Sequence, residues 1–330
     1  MKKSVKRDVV CLLSFIFTLA VSCASPPPKP PKTVKTVVFI PNNFSDFWKV
    51  VRKGSEKADA ELSDVAVVFK SVYVGTKENQ NKFVREALSV DDADAIAISP
   101  VDPPSQNKML NDAAKKALLI TQDSDAPESD RVLYIGADNR AAGRQAGDLV
   151  KKALPQGGKI MVFVGKREVL NAQERFDGLK ESLQGSKVEI IDLRTDDSDT
   201  SRARENAYRT LKEHPDVAGM VGLWSYNGPA IMNALRSEKM LGKIKIVCFD
   251  NERETLEGIQ VGAIFGTVAQ QPFEYGYQAV QAAAKLLRGD RSVIPEGKKI
   301  FIPTIVIQRD NVDAFRDELN KLLSAAITGQ

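Results

Sequence analysis

The strongest constraint on the fold is a regular alternation along residues 34–325. Apolar runs rich in β-branched residues alternate with segments that have the 3.6-residue period of amphipathic helices. This alternation is typical of βα units, in which helices bury parallel strands on both faces. The predicted strands are residues 35–41, 65–74, 94–99, 117–122, 132–136, 159–165, 187–194, 217–224, 243–249, 263–268 and 299–308.

Helices are predicted in most of the intervals between these strands, and the segment 46–62 illustrates the pattern. Phe47, Val50 and Val51 lie on one apolar face of this segment, whereas Lys49 lies on the polar face. The predicted helices are too many to cover a single sheet. The sequence therefore predicts an α/β fold with two doubly wound parallel-sheet lobes.

The N-terminal segment predicts export and anchoring. Basic residues precede an apolar stretch, 9–21, that is shorter than the ~20 residues of a comfortable bilayer span. The stretch ends in small residues before Cys23 and resembles a bacterial lipobox, with Ala20 where Leu is usual. We predict a signal peptide over residues 1–22, lipidation of Cys23, and a proline-rich tether over residues 23–33 outside the cytoplasmic membrane; an uncleaved membrane anchor is the alternative.

Charge and cysteine content exclude several classes of function. Much of the net charge of +4 belongs to the predicted signal peptide, so the remainder is close to neutral and does not indicate nucleic-acid binding. Cys11 and Cys23 both fall in the N-terminal segment, which leaves Cys248 without a disulfide partner. Cys248 lies in an apolar run and is predicted to be a buried strand residue.

The loops that follow the predicted strands are where a ligand is expected. Open parallel sheets bind ligands beyond the carboxyl ends of their strands. In this chain those loops are polar and rich in Asn, Asp and aromatic residues. They are residues 42–48, 100–104, 123–127, 166–173, 225–228, 250–251 and 270–272.

Short motifs in these loops are similar to those of the type I periplasmic sugar-binding proteins, the ribose-binding-like substrate receptors of ABC importers. The motifs occur in the order and at the spacing of that family, and the resemblance covers roughly residues 34–325. They are SDFW at 45–48, ISPVD at 98–102, Asp123, IGADN at 135–139, NAQER at 171–175, Asn227, and FD at 249–250 followed by AQ at 269–270.

The resemblance implies two lobes joined by a three-stranded hinge. The crossovers between the lobes are expected near Asp138, Gln270 and Ile300. The implied division is residues 34–137 plus 270–300 for the N-terminal lobe, 138–269 plus 301–325 for the C-terminal lobe, and 326–330 for a tail.

The resemblance also implies a non-catalytic, monomeric receptor without a cofactor. It would close on a monosaccharide or related polyol and deliver it to the membrane permease of an ABC importer. Carboxylates and amides suit sugar hydroxyls, and aromatic faces suit the C–H surface of the ring. The candidate ligand contacts are Ser45, Phe47, Trp48, Asp102, Asp123, Ser124, Asn171, Gln173, Tyr226, Asn227, Asp250 and Gln270.

Asp123 and Asp250, one from each lobe, are the principal candidates for hydroxyl binding. Each aspartate has a structural alternative, because an aspartate after a strand also serves as the cap of the following helix. The alternative for Phe47 and Trp48 is packing in the core on the inner face of their helix.

Several positions depart from the ribose-type pattern. Ser124 and Gln173 replace arginines, and their side chains do not reproduce the bidentate hydrogen bonding of a guanidinium. Ser198 replaces an aromatic residue, although Tyr226 and Trp224 restore aromatic surface unless Trp224 lies in the core. The sequence therefore does not identify the sugar.

Other functions fit parts of the sequence. An enzyme lacks support because the only histidine, His214, has no nearby cysteine or second histidine, although Asp123 and Asp125 offer the carboxylate pair of a glycosidase. A transcription regulator would need a helix-turn-helix ahead of the first lobe. A sensor that presents sugar to a membrane kinase or chemoreceptor remains an alternative. The acidic run 196–201 lacks the glycine and glutamate of a calcium loop, so we predict a solvated loop and no metal.

Overall fold

The computed structural model describes residues 33–325, and these residues form two six-stranded sheets. The first sheet has the strand order β11-β5-β4-β3-β1-β2, and the second has the order β12-β10-β9-β8-β6-β7. The first comprises β1 (Lys35–Ile40), β2 (Val65–Phe69), β3 (Ala95–Ile98), β4 (Leu118–Gln122), β5 (Leu133–Gly136) and β11 (Lys299–Phe301). The second comprises β6 (Gly158–Val164), β7 (Val188–Thr195), β8 (Val217–Gly222), β9 (Lys245–Phe249), β10 (Gly266–Ala269) and β12 (Ile305–Ile307).

Helices cover both faces of each sheet, which confirms the predicted α/β fold. The first lobe consists of the first sheet with α1, α2, α3 and α9, and the second lobe consists of the second sheet with the remaining helices. The helices are α1 (Asp46–Glu61), α2 (Lys77–Ser89), α3 (Pro103–Ala114), α4 (Asn139–Ala153), α5 (Leu170–Leu183), α6 (Thr200–Glu213), α7 (Asn227–Ser237), α8 (Arg253–Gln260), α9 (Pro272–Leu287) and α10 (Val312–Ala325).

The chain passes between the two sheets three times. It leaves the first sheet after β5, returns after β10, and crosses again between β11 and β12. The third crossing lies at residues 302–304, close to the position predicted near Ile300, and Phe301 pairs within the first sheet. The predicted signal peptide, Cys23, the tether and the tail over residues 326–330 lie outside the described residues.

The predicted strand over residues 299–308 is wrong, because two short strands occupy this segment. Pro303 lies between them and has no N–H to donate to a strand ladder, so the strand ends as the chain changes sheets. The second of these strands pairs antiparallel with β10, whereas all other pairs in both sheets are parallel. The two lobes therefore have the predicted parallel sheets, with one antiparallel strand at the edge of the second sheet.

The predicted strand over residues 65–74 also extends too far. It ends at Phe69, and the apolar side chains of Tyr73 and Val74 beyond it are 72% and 61% exposed. Lys70 and Ser71 interrupt the apolar residues at the end of the strand, and of the three apolar residues beyond them only Val72 is buried.

Each lobe has a buried core on both faces of its sheet. In the first lobe, Phe39 and Ile120 pack under α1 and α9, and Ile96 and Ile98 pack under α2 and α3. The second lobe repeats this arrangement, with α4 and α5 on one face and α6, α7, α8 and α10 on the other. Cys248 is buried in β9, as the sequence predicts.

Two glycines allow α4 and α5 to approach closely in the second lobe. A Cβ at Gly143 would lie 2.1 Å from the carbonyl oxygen of Arg175, and a Cβ at Gly178 would lie 2.0 Å from that of Arg140. Larger residues would separate the helices. The close approach brings Asn139, the first residue of α4, within hydrogen-bonding distance of the Arg175 side chain.

Candidate functional site

A cavity of about 910 Å³ lies between the carboxyl ends of the strands of the two lobes. Its walls come from loops after strands in both lobes, as expected for open α/β sheets. Nine of the candidate ligand contacts line it, and these are Ser45, Phe47, Trp48, Asp123, Ser124, Asn171, Tyr226, Asp250 and Gln270.

Asp123 supplies a carboxylate from the first lobe. It follows β4 in the left-handed conformation (φ 61°), and its Oδ2 accepts hydrogen bonds from Ser99 Oγ (2.8 Å) and Asn42 Nδ2 (3.3 Å). Burial raises the pKa of Asp123 to about 6, although the Ser99 hydrogen bond and the charge of Arg175 oppose this shift. The carboxylate is therefore placed in the cavity wall at a cost in desolvation.

Asp250 supplies the matching carboxylate from the second lobe. It follows β9 in the same left-handed conformation (φ 63°), and its Oδ1 accepts a hydrogen bond of 2.8 Å from Gln270 Nε2. The Tyr275 hydroxyl donates to Gln270 Oε1 over 3.0 Å and so fixes the amide. β4 and β9 occupy the same position in the strand orders of their sheets, so the two aspartates are structural counterparts.

Arg175 is a cavity residue that the sequence reasoning missed. Its guanidinium is buried, donates to Asn139 Oδ1 (3.0 Å) and to the Leu223 carbonyl (2.8 Å), and lies 4.0 Å from Asp250 Oδ2. It also stacks over the Phe249 ring at 4.6 Å from the centroid. This arginine places a buried positive charge beside the Asp250 carboxylate.

The aromatic wall of the first lobe consists of Phe47 and Trp48 at the start of α1. Trp48 is only 4% exposed, and its indole N–H donates to Asn42 Oδ1 over 2.9 Å. Phe47 is half-buried and packs edge-on against both Trp48 and Tyr275. Trp48 therefore packs in the core, as the structural alternative for this residue predicts, and it also lines the cavity. Phe47 is more exposed than Trp48 and lines the same cavity.

The opposite wall contains Trp224, Tyr226 and Asn171. The Trp224 indole donates to Asn171 Oδ1 over 3.2 Å, and the rings of Trp224 and Tyr226 pack edge-on with centroids 6.4 Å apart. Both aromatic residues are half-buried and line the cavity. Trp224 therefore contributes to the cavity wall and is not enclosed in the sheet core.

Three of the candidate contacts lie outside the cavity lining. Asp102 is the N-cap of α3, where its carboxylate accepts from the Ser105 N–H and hydroxyl. Gln173 is exposed on α5 and donates to the Glu168 carbonyl. Asn227 is buried at the start of α7. Each of these side chains is held by local partners, and contact with a ligand stays a prediction for all three.

Further lining residues come from loops that the sequence analysis identified. Asn42 lies two residues after the end of β1 and is hydrogen-bonded to both Trp48 and Asp123. The position of Asn42 just after a strand is the sequence signal that marks it as a candidate lining residue. Ser198 and Glu252 also line the cavity, and burial raises the pKa of Glu252.

Asp123 gives the stability of the protein a specific pH dependence. Its folded-state pKa of about 6 exceeds the ordinary value of 3.8, so the folded protein holds this proton more tightly than the unfolded chain does. The contribution of Asp123 is therefore fully present below about pH 4 and is lost as the pH rises through about 6. We expect ligand-free Asp123→Asn to be more stable than wild type above pH 7 by about 1–3 kcal/mol, with little difference near pH 4.

Urea denaturation of the two ligand-free proteins between pH 4 and pH 8 measures this difference. A gap in unfolding free energy that stays constant across the range would contradict the assignment.

Comparisons with known proteins agree with this geometry. A periplasmic binding protein domain matches residues 37–291. The ribose import binding protein RbsB of Salmonella typhimurium is 28% identical over 264 residues, which cover 78% of this chain and 86% of that protein. The D-ribose/D-allose-binding protein of Pseudomonas aeruginosa is 24% identical over 303 residues, which cover 88% and 92%.

Solved structures are similar along most of the chain. GanP, a glucose-galactose binding protein from Geobacillus stearothermophilus, gives a TM-score of 0.80 at 26% identity and covers 85% of this chain and 99% of that one. An ABC transporter solute binding protein from Burkholderia graminis, in complex with D-arabinose, gives 0.79 at 27% identity over 86% and 98%. Since the family match spans well over half of the sequence, the chain belongs to the periplasmic binding protein domain family.

Proposed function

We propose that this protein is an extracytoplasmic receptor that captures a monosaccharide or a related polyol between its two lobes and delivers it to an ABC importer. The observation that carries the proposal is the pair Asp123 and Asp250. They are structural counterparts from opposite lobes, and both line one cavity. A ligand that binds both carboxylates must contact both lobes.

The chemistry of the lining supports a sugar. Carboxylate oxygens and the Gln270 amide bind hydroxyl groups with short, oriented hydrogen bonds. The rings of Phe47, Trp224 and Tyr226 supply apolar surface for the C–H face of a sugar ring. Only a form with the lobes closed makes all contacts at once, so ligand binding shifts the population toward closure.

The relatives support the ligand class and a non-catalytic role. Their names specify ribose and allose binding, and one similar structure contains D-arabinose. The cavity of this chain contains Ser124 and Ser198, where the ribose-type pattern expects an arginine and an aromatic residue. We therefore propose a sugar receptor whose specificity differs from that of the ribose-binding relatives.

Titration calorimetry of the purified receptor with D-ribose, D-arabinose, D-xylose, D-glucose, D-galactose and ribitol tests the ligand class. We expect one or more of these to bind, and a hundredfold excess over Kd to raise the free energy of unfolding by about 2.7 kcal/mol. Binding of amino acids or nucleosides, with no response to any sugar or polyol, would contradict the proposal.

A sensor function is the second candidate for the partner. One similar structure is described as the XylFII–LytSN complex, and it matches this chain with a TM-score of 0.75 at 25% identity. A relative of this fold therefore occurs in complex with a second protein. Uptake of radiolabelled ligand by cells that lack the receptor separates the two roles, because an importer receptor is required for uptake and a sensor is not.

Lipid attachment is the proposed means of holding the receptor at the membrane. Proteins of this family work outside the cytoplasmic membrane, and no helix within residues 33–325 has the length and apolar character needed to span a bilayer. We expect Cys23→Ala to move the protein from the membrane fraction to the soluble fraction, because each buried CH₂ of an acyl chain contributes ~0.8 kcal/mol.

Fractionation of cells followed by immunoblotting measures the distribution, with Cys11→Ala as the matched control. A Cys23→Ala protein that still sediments with membranes would contradict lipidation at this residue.

A further inference from the structure

Asp196 is a fully buried carboxylate at the end of β7, where the sequence predicts a solvated loop. Its N–H donates to the carbonyls of Val164 and Gly165, which ties the end of β7 to the end of β6. The solvated loop predicted for residues 196–201 begins only after Asp196, where the residues are exposed. Asp199 in this loop caps α6. Burial of a carboxylate is costly unless its oxygens are hydrogen-bonded, so the partners of Asp196 indicate its role.

Three neutral donors surround the Asp196 carboxylate. The Tyr226 hydroxyl donates to Oδ1 over 2.5 Å, the Ser198 N–H donates to Oδ1 over 3.0 Å, and Asn227 Nδ2 donates to Oδ2 over 3.1 Å. Tyr226 and Ser198 line the cavity, whereas Asn227 does not. Asp196 therefore connects two residues of the ligand cavity to one residue behind its wall.

The same cluster fixes the turn between β8 and α7. Asn227 Oδ1 accepts from the Trp224 N–H over 3.0 Å, so the amide that Asp196 holds also holds the backbone of Trp224. A Cβ at Gly165 would lie 2.0 Å from the Trp224 ring and 2.8 Å from the Tyr226 hydroxyl. The glycine thus leaves room for both rings to pack at the end of β6.

We propose that Asp196 is a positioning residue that sets the chemistry of the second-lobe wall. Its carboxylate holds Tyr226 and keeps the Asn227 amide turned away from the ligand, so that this part of the wall presents the rings of Trp224 and Tyr226 instead of the Asn227 amide. Asp196 itself is not part of the cavity lining. The proposal rests on the proposed function, because it specifies how the sugar cavity acquires its selectivity.

The pKa shifts of Asp196 and Tyr226 are consistent with this positioning role. Burial raises the pKa of Asp196, while the hydrogen bonds from Tyr226, Ser198 and Asn227 lower it. Burial and the hydrogen bond to Asp196 both raise the pKa of the Tyr226 hydroxyl. The tyrosine thus remains a protonated donor to the carboxylate near neutral pH.

The first test needs no ligand and uses Trp224 as the reporter. The chain has two tryptophans, so Trp48→Phe leaves Trp224 as the only indole. In this background we expect Asp196→Ala to increase acrylamide quenching of Trp224 about twofold, because the ring loses its fixed packing against Tyr226. Asp199→Ala, which removes a nearby carboxylate that only caps α6, is the matched control and should leave quenching unchanged.

The second test uses the wild-type background and calorimetry with D-ribose, D-xylose and D-galactose as probes. We expect Asp196→Ala to weaken binding of the preferred probe about tenfold and to change the ratio of affinities among the three. Asp196→Asn should restore part of the affinity because its Oδ1 still accepts from Tyr226. Asp199→Ala should lower the melting temperature without changing the affinity ratio.

The outcomes separate the two proposals. If Asp196→Ala only lowers the melting temperature while quenching and affinity ratios match those of wild type, Asp196 is a structural residue and the inference is overturned. If wild type binds no sugar, the proposed function fails. In that case the quenching measurement still tests the positioning role of Asp196, because it needs no ligand. Unchanged quenching overturns that role, and increased quenching supports it.

Discussion

Replacement of Asp250 by asparagine is expected to reduce sugar affinity by about 10- to 100-fold and to lower the folding stability as well. The magnitude follows from the ~1.5–3 kcal/mol of a hydrogen bond to a charged group. Asparagine is the suitable substitute because it tolerates the left-handed backbone of residue 250, whereas alanine would add strain. The loss of charge also removes the carboxylate that faces Arg175.

Calorimetry with the preferred sugar and thermal unfolding of the same samples measure the two effects. Asp199→Ala is the matched control, because Asp199 caps α6 outside the cavity and its loss should cost ~1 kcal/mol of stability with unchanged affinity. An Asp250→Asn protein with wild-type affinity and a lowered melting temperature would assign Asp250 to structure.

Replacement of Arg175 by alanine is expected to lower the free energy of unfolding by about 3–5 kcal/mol. The change leaves the buried Asp250 carboxylate without its nearby cation and removes donors from Asn139 and from the Leu223 carbonyl. It also removes the guanidinium that covers the Phe249 ring. Few single substitutions remove so many buried interactions, and ligand binding should be lost as well.

Urea denaturation at neutral pH measures this effect. Arg144→Ala is the control, because Arg144 pairs with Glu181 on the exposed side of α4 and should cost less than about 1 kcal/mol. A similar cost for both variants would show that the Arg175 network is not important for stability.

The alternation of strands and helices could be predicted because the strands are buried on both faces and read as continuous apolar runs. The ends of the strands could not be predicted in the same way. Tyr73 and Val74 belong to a second apolar group beyond Lys70 and Ser71 and are exposed, so hydrophobicity alone places the strand end too late. Pro303, in contrast, indicates in the sequence that the strand breaks between β11 and β12, because proline cannot donate to a strand ladder.

The loops that form the cavity could be predicted from the topology, but the direction of each side chain depends on local backbone geometry. Asp123 and Asp250 face the cavity in a left-handed conformation, whereas Asp102 turns to cap its helix. The two prolines after Asp102 are a helix-start signal that would have identified the cap.

Arg175 has a signal of its own in the sequence. It lies three residues after Ala172 and four before Leu179, which are both buried on α5. This spacing places Arg175 on the buried face of the helix. A charged residue at such a position needs buried partners, and here these include Asn139 and the Leu223 carbonyl.

The three passages of the chain between the sheets also determine the order in which the lobes are completed during synthesis. The core of the first lobe includes Tyr275, Ala279 and Ala283 of α9, which the ribosome delivers after all five parallel strands of the second sheet. The second lobe then lacks β12 and α10, but five of its six core-facing helices are already present. The lobe that emerges first therefore has only α1 on this face of its sheet until α9 is made, so a nascent chain that stalls before residue 272 exposes the apolar surface that α9 covers, which is prone to aggregation.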